Sequence, residues 1–211
     1  MSPVTPEMIN YYVQLRQALG RVDPYINDAM FWMVVRGHGE PLTVADVARR
    51  LGADPDAASP GTVLELGEHV VLEQSDHGVI VLAHNAYPSD PDIWARLTEN
   101  AQAWGFWCLV NNAHELFYAA DGVLVTSVGQ ISSPYGPECF GQDPTALDAH
   151  LGALRALGKR MKADDEAGVE PATPYPDWET ALATVEALTG VRLDLDRFTR
   201  KRQSVYAPGL S

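Results

Sequence analysis

The sequence predicts an α+β fold, with a mostly antiparallel sheet of about five strands packed against helices from both termini. Three observations carry this expectation. Apolar, β-branched runs separated by turn residues occupy positions 62–84 and 104–128. Segments with helical apolar spacing flank them on both sides. Asp121-Gly122 stands between two apolar runs, where both central residues of a tight hairpin must tolerate positive φ.

The elements follow in order. Thr5-Pro6-Glu7 starts a helix, with a Thr cap and Pro at the first helical position. Met8, Tyr11, Tyr12, Leu15 and Leu19 form its apolar stripe, and Gly20 ends it. Asp23-Pro24 opens a second helix, expected to run to about Arg36 and to be deeply buried because its middle is apolar nearly all round. Thr43 caps a short third helix with Val44, Val47, Ala48 and Leu51 on one side.

Residues 69–84 read as a hairpin around Gln74–Gly78, and 90–102 as a helix with Ile93, Trp94 and Leu97 inward. Trp104–Val110 turns at Asn111-Asn112 into Glu115–Ala119, and Asp121-Gly122 turns that strand into Val123–Val128. Residues 129–143 hold five Gly and Pro and read as a long loop. Thr145–Leu157, Asp177–Leu188 and a short basic run, Leu195–Arg202, read as helices. The implied division is an α+β core domain over 1–162, a linker over 163–177, and a C-terminal helical segment over 178–211 packed on the core.

Composition narrows the function classes. With 46% hydrophobic and 20% charged residues in 211, the chain is expected to fold as a globular protein. The longest apolar runs, Ala29–Val35 and Val79–Ala83, are too short to span a bilayer. The first residues lack a basic region followed by an apolar core, so no secretory signal is expected. The two cysteines, Cys108 and Cys139, have no paired spacing, which argues against a disulfide framework or a structural zinc site and for a reducing cytoplasm. The net charge is −13, and taking away the four positive charges of Arg197–Arg202 leaves −17 for the body. Such a surface repels nucleic acid and anionic membranes.

Phe31-Trp32-Met33-Val34-Val35-Arg36-Gly37, Val44–Ala53, Phe117-Tyr118-Ala119-Ala120-Asp121-Gly122 and Ala187-Leu188-Thr189-Gly190-Val191-Arg192-Leu193 form a set of short motifs. The set resembles an uncharacterised family of small cytoplasmic proteins from GC-rich bacteria, a domain of unknown function. The resemblance implies an architecture and brings no chemistry.

Candidate chemistry is sparse. Thr43–Gly52 looks like the first helix of a helix-turn-helix, but Ala53-Asp54-Pro55-Asp56-Ala57-Ala58-Ser59-Pro60 follows, where a basic recognition helix would be needed. A two-residue loop at Asp76-His77 pairs positions that sum to 153. It sets His69 opposite His84 with Glu73 on the same face, an arrangement open to metal or acid–base work; a longer loop separates the pair. Cys108, His114 and Glu115 invite a nucleophile–base reading, against which Cys108 lies inside an apolar run. Trp94, Trp104, Phe106 and Trp107 suit either a ligand pocket or a core. Tyr135 and Phe140 place aromatic rings in the 129–143 loop.

No catalytic residue, metal ligand or cofactor is assigned. The candidate binding residues are Tyr135, Phe140, His69, His84 and Trp107. The expected function is a non-enzymatic cytoplasmic protein-binding module, one form of which is immunity-like neutralisation of a basic partner. Neither a membrane nor nucleic acid is an expected partner. The alternative is an enzyme or small-ligand-binding protein using the sheet face and the 129–143 loop.

Overall fold

The computed structural model describes residues 3–27, 29–64, 69–90, 92–208 and 210. Among these described residues the centre is one antiparallel sheet of nine strands, against the expectation of about five. The strands are β1 (Met30–Gly37), β2 (Ser59–Gly61), β3 (His69–Ser75), β4 (Gly78–His84), β5 (Ala101–Cys108), β6 (His114–Ala120), β7 (Val123–Gly129), β8 (Glu138–Phe140) and β9 (Arg202–Tyr206). They lie in the order β2-β9-β3-β4-β1-β5-β6-β7-β8. The helices are α1 (Pro6–Val22), α2 (Val44–Arg50), α3 (Ile93–Leu97), α4 (Gly152–Glu166), α5 (Asp177–Thr189) and α6 (Leu195–Thr199).

Four strands beyond the expected five explain the correction. The run Phe31-Trp32-Met33-Val34-Val35 is a central strand, not a helix. It pairs β4 on one side and β5 on the other. Helices cover both faces of the sheet, so every residue of that run is buried and no polar alternation remains to betray a strand. Trp32 and Val34 point into a core with Tyr12, Leu182 and Phe198. Phe31, Met33 and Val35 point into a second core with Val47, Leu97 and Phe117. One Gly and one Pro shorten β2 to three residues at one edge, and β8 is a three-residue edge at the other.

The fourth addition is β9. The basic run expected to be helical to Arg202 stops its helix at Thr199 and enters the sheet between β2 and β3. Arg197 and Arg202 of this run are paired within the molecule. Arg202 Nε lies 2.5 Å from Glu73 Oε2, Arg197 also contacts Glu73, and Asp196 takes Arg202 Nη2 at 3.1 Å.

Local chemistry sets several elements as expected. Thr43 and Asp46 form a reciprocal capping box at the start of α2. Thr5 caps α1 through Met8 N. The β3–β4 ladder runs Val71↔Leu82, Glu73↔Ile80 and Ser75↔Gly78, the register in which paired positions sum to 153. Gly105 is forced by packing: a Cβ there would lie 2.5 Å from the Trp32 carbonyl oxygen and 2.5 Å from Phe117 Cζ. Residues 167–176 connect α4 to α5 outside regular secondary structure. Among the described residues, no helix is long and apolar enough to cross a membrane.

Candidate functional site

The antiparallel registers bring many strand termini to one end of the sheet. Met30 begins β1 and faces both His84, which ends β4, and Cys108, which ends β5. Cys108 faces His114, which begins β6. Gly129 ends β7 opposite Glu138, which begins β8. His69 begins β3 opposite Tyr206, which ends β9. His69, His84 and Trp107 therefore belong to one rim, and the 129–143 segment with Tyr135 and Phe140 continues it.

These residues do not form a single cluster. The His69 ring stands 6.1 Å from Tyr206, edge to face, while His84 Nε2 approaches the Tyr25 carbonyl oxygen at 3.3 Å. Both histidines lie on the same side of the sheet, yet the β3–β4 ladder stops at Val71↔Leu82. On the far edges of the two strands, His69 faces Tyr206 of β9 and His84 faces Met30 of β1. Among the described residues, no group of three or more His, Cys, Asp or Glu side chains is placed to hold a metal ion. Trp107 packs beside Tyr87, centroid to centroid 5.7 Å. Tyr135 is 86% exposed and Phe140 55% exposed.

Trp107 and Phe140 do meet at a common feature. They line a cleft of about 390 Å³ with Asn112, His114, Glu115, Gly129, Ser132 and Glu138. Cross-strand pairing explains its floor. Trp107 is opposite Glu115. Carrying the Leu116↔Val128 register one step on sets Glu115 level with Gly129, and Gly129 faces Glu138. Directly paired side chains share a face. Trp107, Glu115, Glu138 and Phe140 thus project from the α2–α3 side of the sheet, beyond the area that those helices cover.

Burial raises the Glu115 carboxyl above its ordinary pKa, and a hydrogen bond from Ser127 partly offsets this. Burial also lowers His114, whose Nδ1–H donates to the Asn112 carbonyl at 2.8 Å. That bond fixes the tautomer and leaves Nε2 as an acceptor. The expected trio of Cys108, His114 and Glu115 is divided by the sheet: Cys108 is buried in the core beneath α1 and α5, and Glu115 belongs to the opposite face.

A second cleft, of about 660 Å³, adjoins the first through Asn112. Its base is the Arg16–Glu179 ion pair at 2.9 Å, with the Arg16 guanidinium 4.8 Å over the Trp178 ring. Sequence reading passed over Arg16, Trp178 and Glu179. One signal was present: a carboxylate, Glu179, within the Ala- and Leu-rich face of a buried helix.

Comparison with protein-family models, with curated proteins and with solved structures finds no match to this chain.

Proposed function

We propose that this chain is a non-enzymatic, cytoplasmic protein that binds another protein through the rim at the Trp107–His114 end of its sheet. The observation that carries this reading is the pair of exposed aromatic rings in the 129–143 segment, Phe140 in the wall of the Trp107 cleft and Tyr135 two residues on from its lining Ser133. Aromatic side chains of this kind dominate association energies where a partner desolvates them. From β9 to β8 the rim spans seven strand spacings, about 34 Å at about 4.8 Å each. That length suits an interface burying about 800 Å² per partner. The net charge of −13 supports a basic partner, attracted over the screening distance of about 8–10 Å at physiological salt. Neutralisation of a basic effector is one form of such a role.

The test is capture from native cytoplasm with the intact chain and with Tyr135→Ala/Phe140→Ala. A stoichiometric partner retained by the first and lost faster from the second supports the reading. No stoichiometric partner, together with turnover of a small molecule by the pure protein, overturns it. The second outcome is the one to which the alternative points, a small ligand held on the sheet face and the 129–143 segment. The half-buried Glu115 carboxyl in the cleft wall supports that alternative.

A further inference from the structure

From the row Trp107, Glu115, Gly129, Glu138, with Phe140 beside it, we infer a receptor notch for a single arginine side chain presented by the partner. The inference rests on the protein-binding reading above and adds what the rim recognises.

The geometry comes first. Glu115 and Glu138 belong to strands separated by one other strand, so their Cα atoms are about 10 Å apart at about 4.8 Å per spacing. The strand between them contributes Gly129. A Cβ built there would have no atom within 4 Å, so the space between the two carboxylates is open. Trp107 flanks Glu115 across the β5–β6 ladder, and Phe140 lies two residues along β8 from Glu138, on the same face. The result is a short trough with an acidic group on each side and an aromatic ring at each flank.

The chemistry of that trough selects its occupant. Among the residues lining the cleft are two carboxylates, a neutral imidazole, hydroxyls and amides, with no lysine or arginine. A cation entering it meets no repulsion from the walls. An aromatic face attracts a guanidinium through its quadrupole and its plane, and a carboxylate takes two guanidinium N–H groups at once. A planar fork with five donors engages carboxylates on two sides while lying against a ring; a compact ammonium engages fewer of them together. Glu115 is the group with most to gain. Its carboxylate is partly withdrawn from water and takes one hydrogen bond, from Ser127, with no cation among the cleft residues to compensate it.

The experiment uses the full chain, isotope-labelled, and follows backbone amide signals by NMR. The probes are N-acetyl-arginine amide and its uncharged isostere, N-acetyl-citrulline amide. We expect saturable shifts centred on Glu115, Gly129 and Glu138 with the arginine probe and none there with the citrulline probe. Glu115→Gln/Glu138→Gln should weaken binding at least about tenfold. Gly129→Val should block it sterically with both charges intact, in a position where the added side chain has room. Equal response to both probes, shifts centred elsewhere, or unchanged binding by Gly129→Val overturns the notch. If a partner is captured through Tyr135 and Phe140 while arginine leaves the notch signals unmoved, this inference falls and the protein-binding reading stands. If arginine binds but no partner is found, the protein-binding reading falls and the notch stands as a site for a free guanidinium compound.

Discussion

Arg202 on β9 and Glu73 on β3 stand one step beyond the last pair of the β3–β9 ladder, Leu72↔Gln203, and hold each other in an ion pair, Nε to Oε2 at 2.5 Å. Their side chains are 13% and 22% exposed, so water screens the pair only in part. Arg197 approaches the same carboxylate from α6. Glu73→Gln removes the charge and leaves two guanidinium groups around a neutral amide. The expected loss is about 2 kcal/mol, in the range for hydrogen bonds to charged groups. For a chain of this size that lowers Tm by roughly 4–8 °C. Thermal unfolding followed by circular dichroism checks it, and an unchanged Tm contradicts the assigned role of the pair.

Gly105→Ala tests the centre of the sheet. The added methyl meets the backbone oxygen of Trp32 and the ring of Phe117, neither of which is the free end of a flexible chain. Two neighbouring strands must shift to admit it. The expected cost is about 3 kcal/mol, at the upper end for overpacking. Gly129→Ala, in open space on the same sheet, is the control and should cost less than about 1 kcal/mol. Equal denaturant midpoints for the two variants would contradict the β1–β5 register.

Glu115 gives a pH dependence with a definite sign. Burial raises its pKa in the folded state above the unfolded value. As pH rises, the unfolded carboxyl therefore loses its proton first, and stability falls until pH passes the folded pKa. Above both values the cost is complete; below the unfolded value it vanishes. Glu115→Gln should thus be more stable than the parent at neutral pH, with the gain shrinking as the medium is acidified through the ordinary carboxylate range. Paired melts of the two proteins across that range check it. A gain that grows on acidification refutes the assignment.

Thr43→Ala removes the cap of α2. It abolishes the bond from Asp46 N to Thr43 Oγ1 at 3.2 Å and releases the Asp46 carboxylate from the hydroxyl. The expected destabilisation is about 1 kcal/mol. Amide exchange should quicken within Val44–Arg50 before it quickens in the strands; uniform acceleration would mean that the helix does not open on its own.

What could be read from the sequence divides along physical lines. The β3–β4 register was legible as one of two alternatives, since a two-residue loop at Asp76-His77 leaves no freedom in which residues face each other and a longer loop shifts them. The Thr43 cap was legible because a cap residue and the apolar helix that follows it are adjacent in sequence; the reciprocal bond from Asp46 that completes a capping box was not part of that reading. By contrast, β1 carries no period: a continuous apolar run fits a buried helix or a two-faced strand, and only the helices on both sides of the sheet decide it. β9 was hidden by its charge, which is answered by Glu73 of the distant β3 and by Asp196 of the adjoining α6. At the candidate site, the aromatic character of Trp107, Tyr135 and Phe140 was visible. The alignment of Glu115, Gly129 and Glu138 was not, because it depends on the registers of two successive ladders, β6–β7 and β7–β8. His69 and His84 show the reverse failure: their predicted register continues the observed ladder, but that ladder ends at Val71↔Leu82, short of them.

The place of β9 has a consequence for how the molecule is made. Residues 202–206 occupy an interior slot, with β2 on one flank and β3 on the other, yet they leave the ribosome after every strand they join. Until they arrive, β2 has no neighbour to bond, and the outer edge of β3, with Val70, Val71 and Leu72, stands unpaired in a nascent chain. A growing polypeptide thus carries an open, apolar template from the completion of β3 at Ser75 until β9 arrives at Arg202–Tyr206, a state that invites pairing with other chains and calls for chaperone cover. Closure of this half of the sheet is a late event. Ribosome stalling upstream of Arg202 leaves it undone.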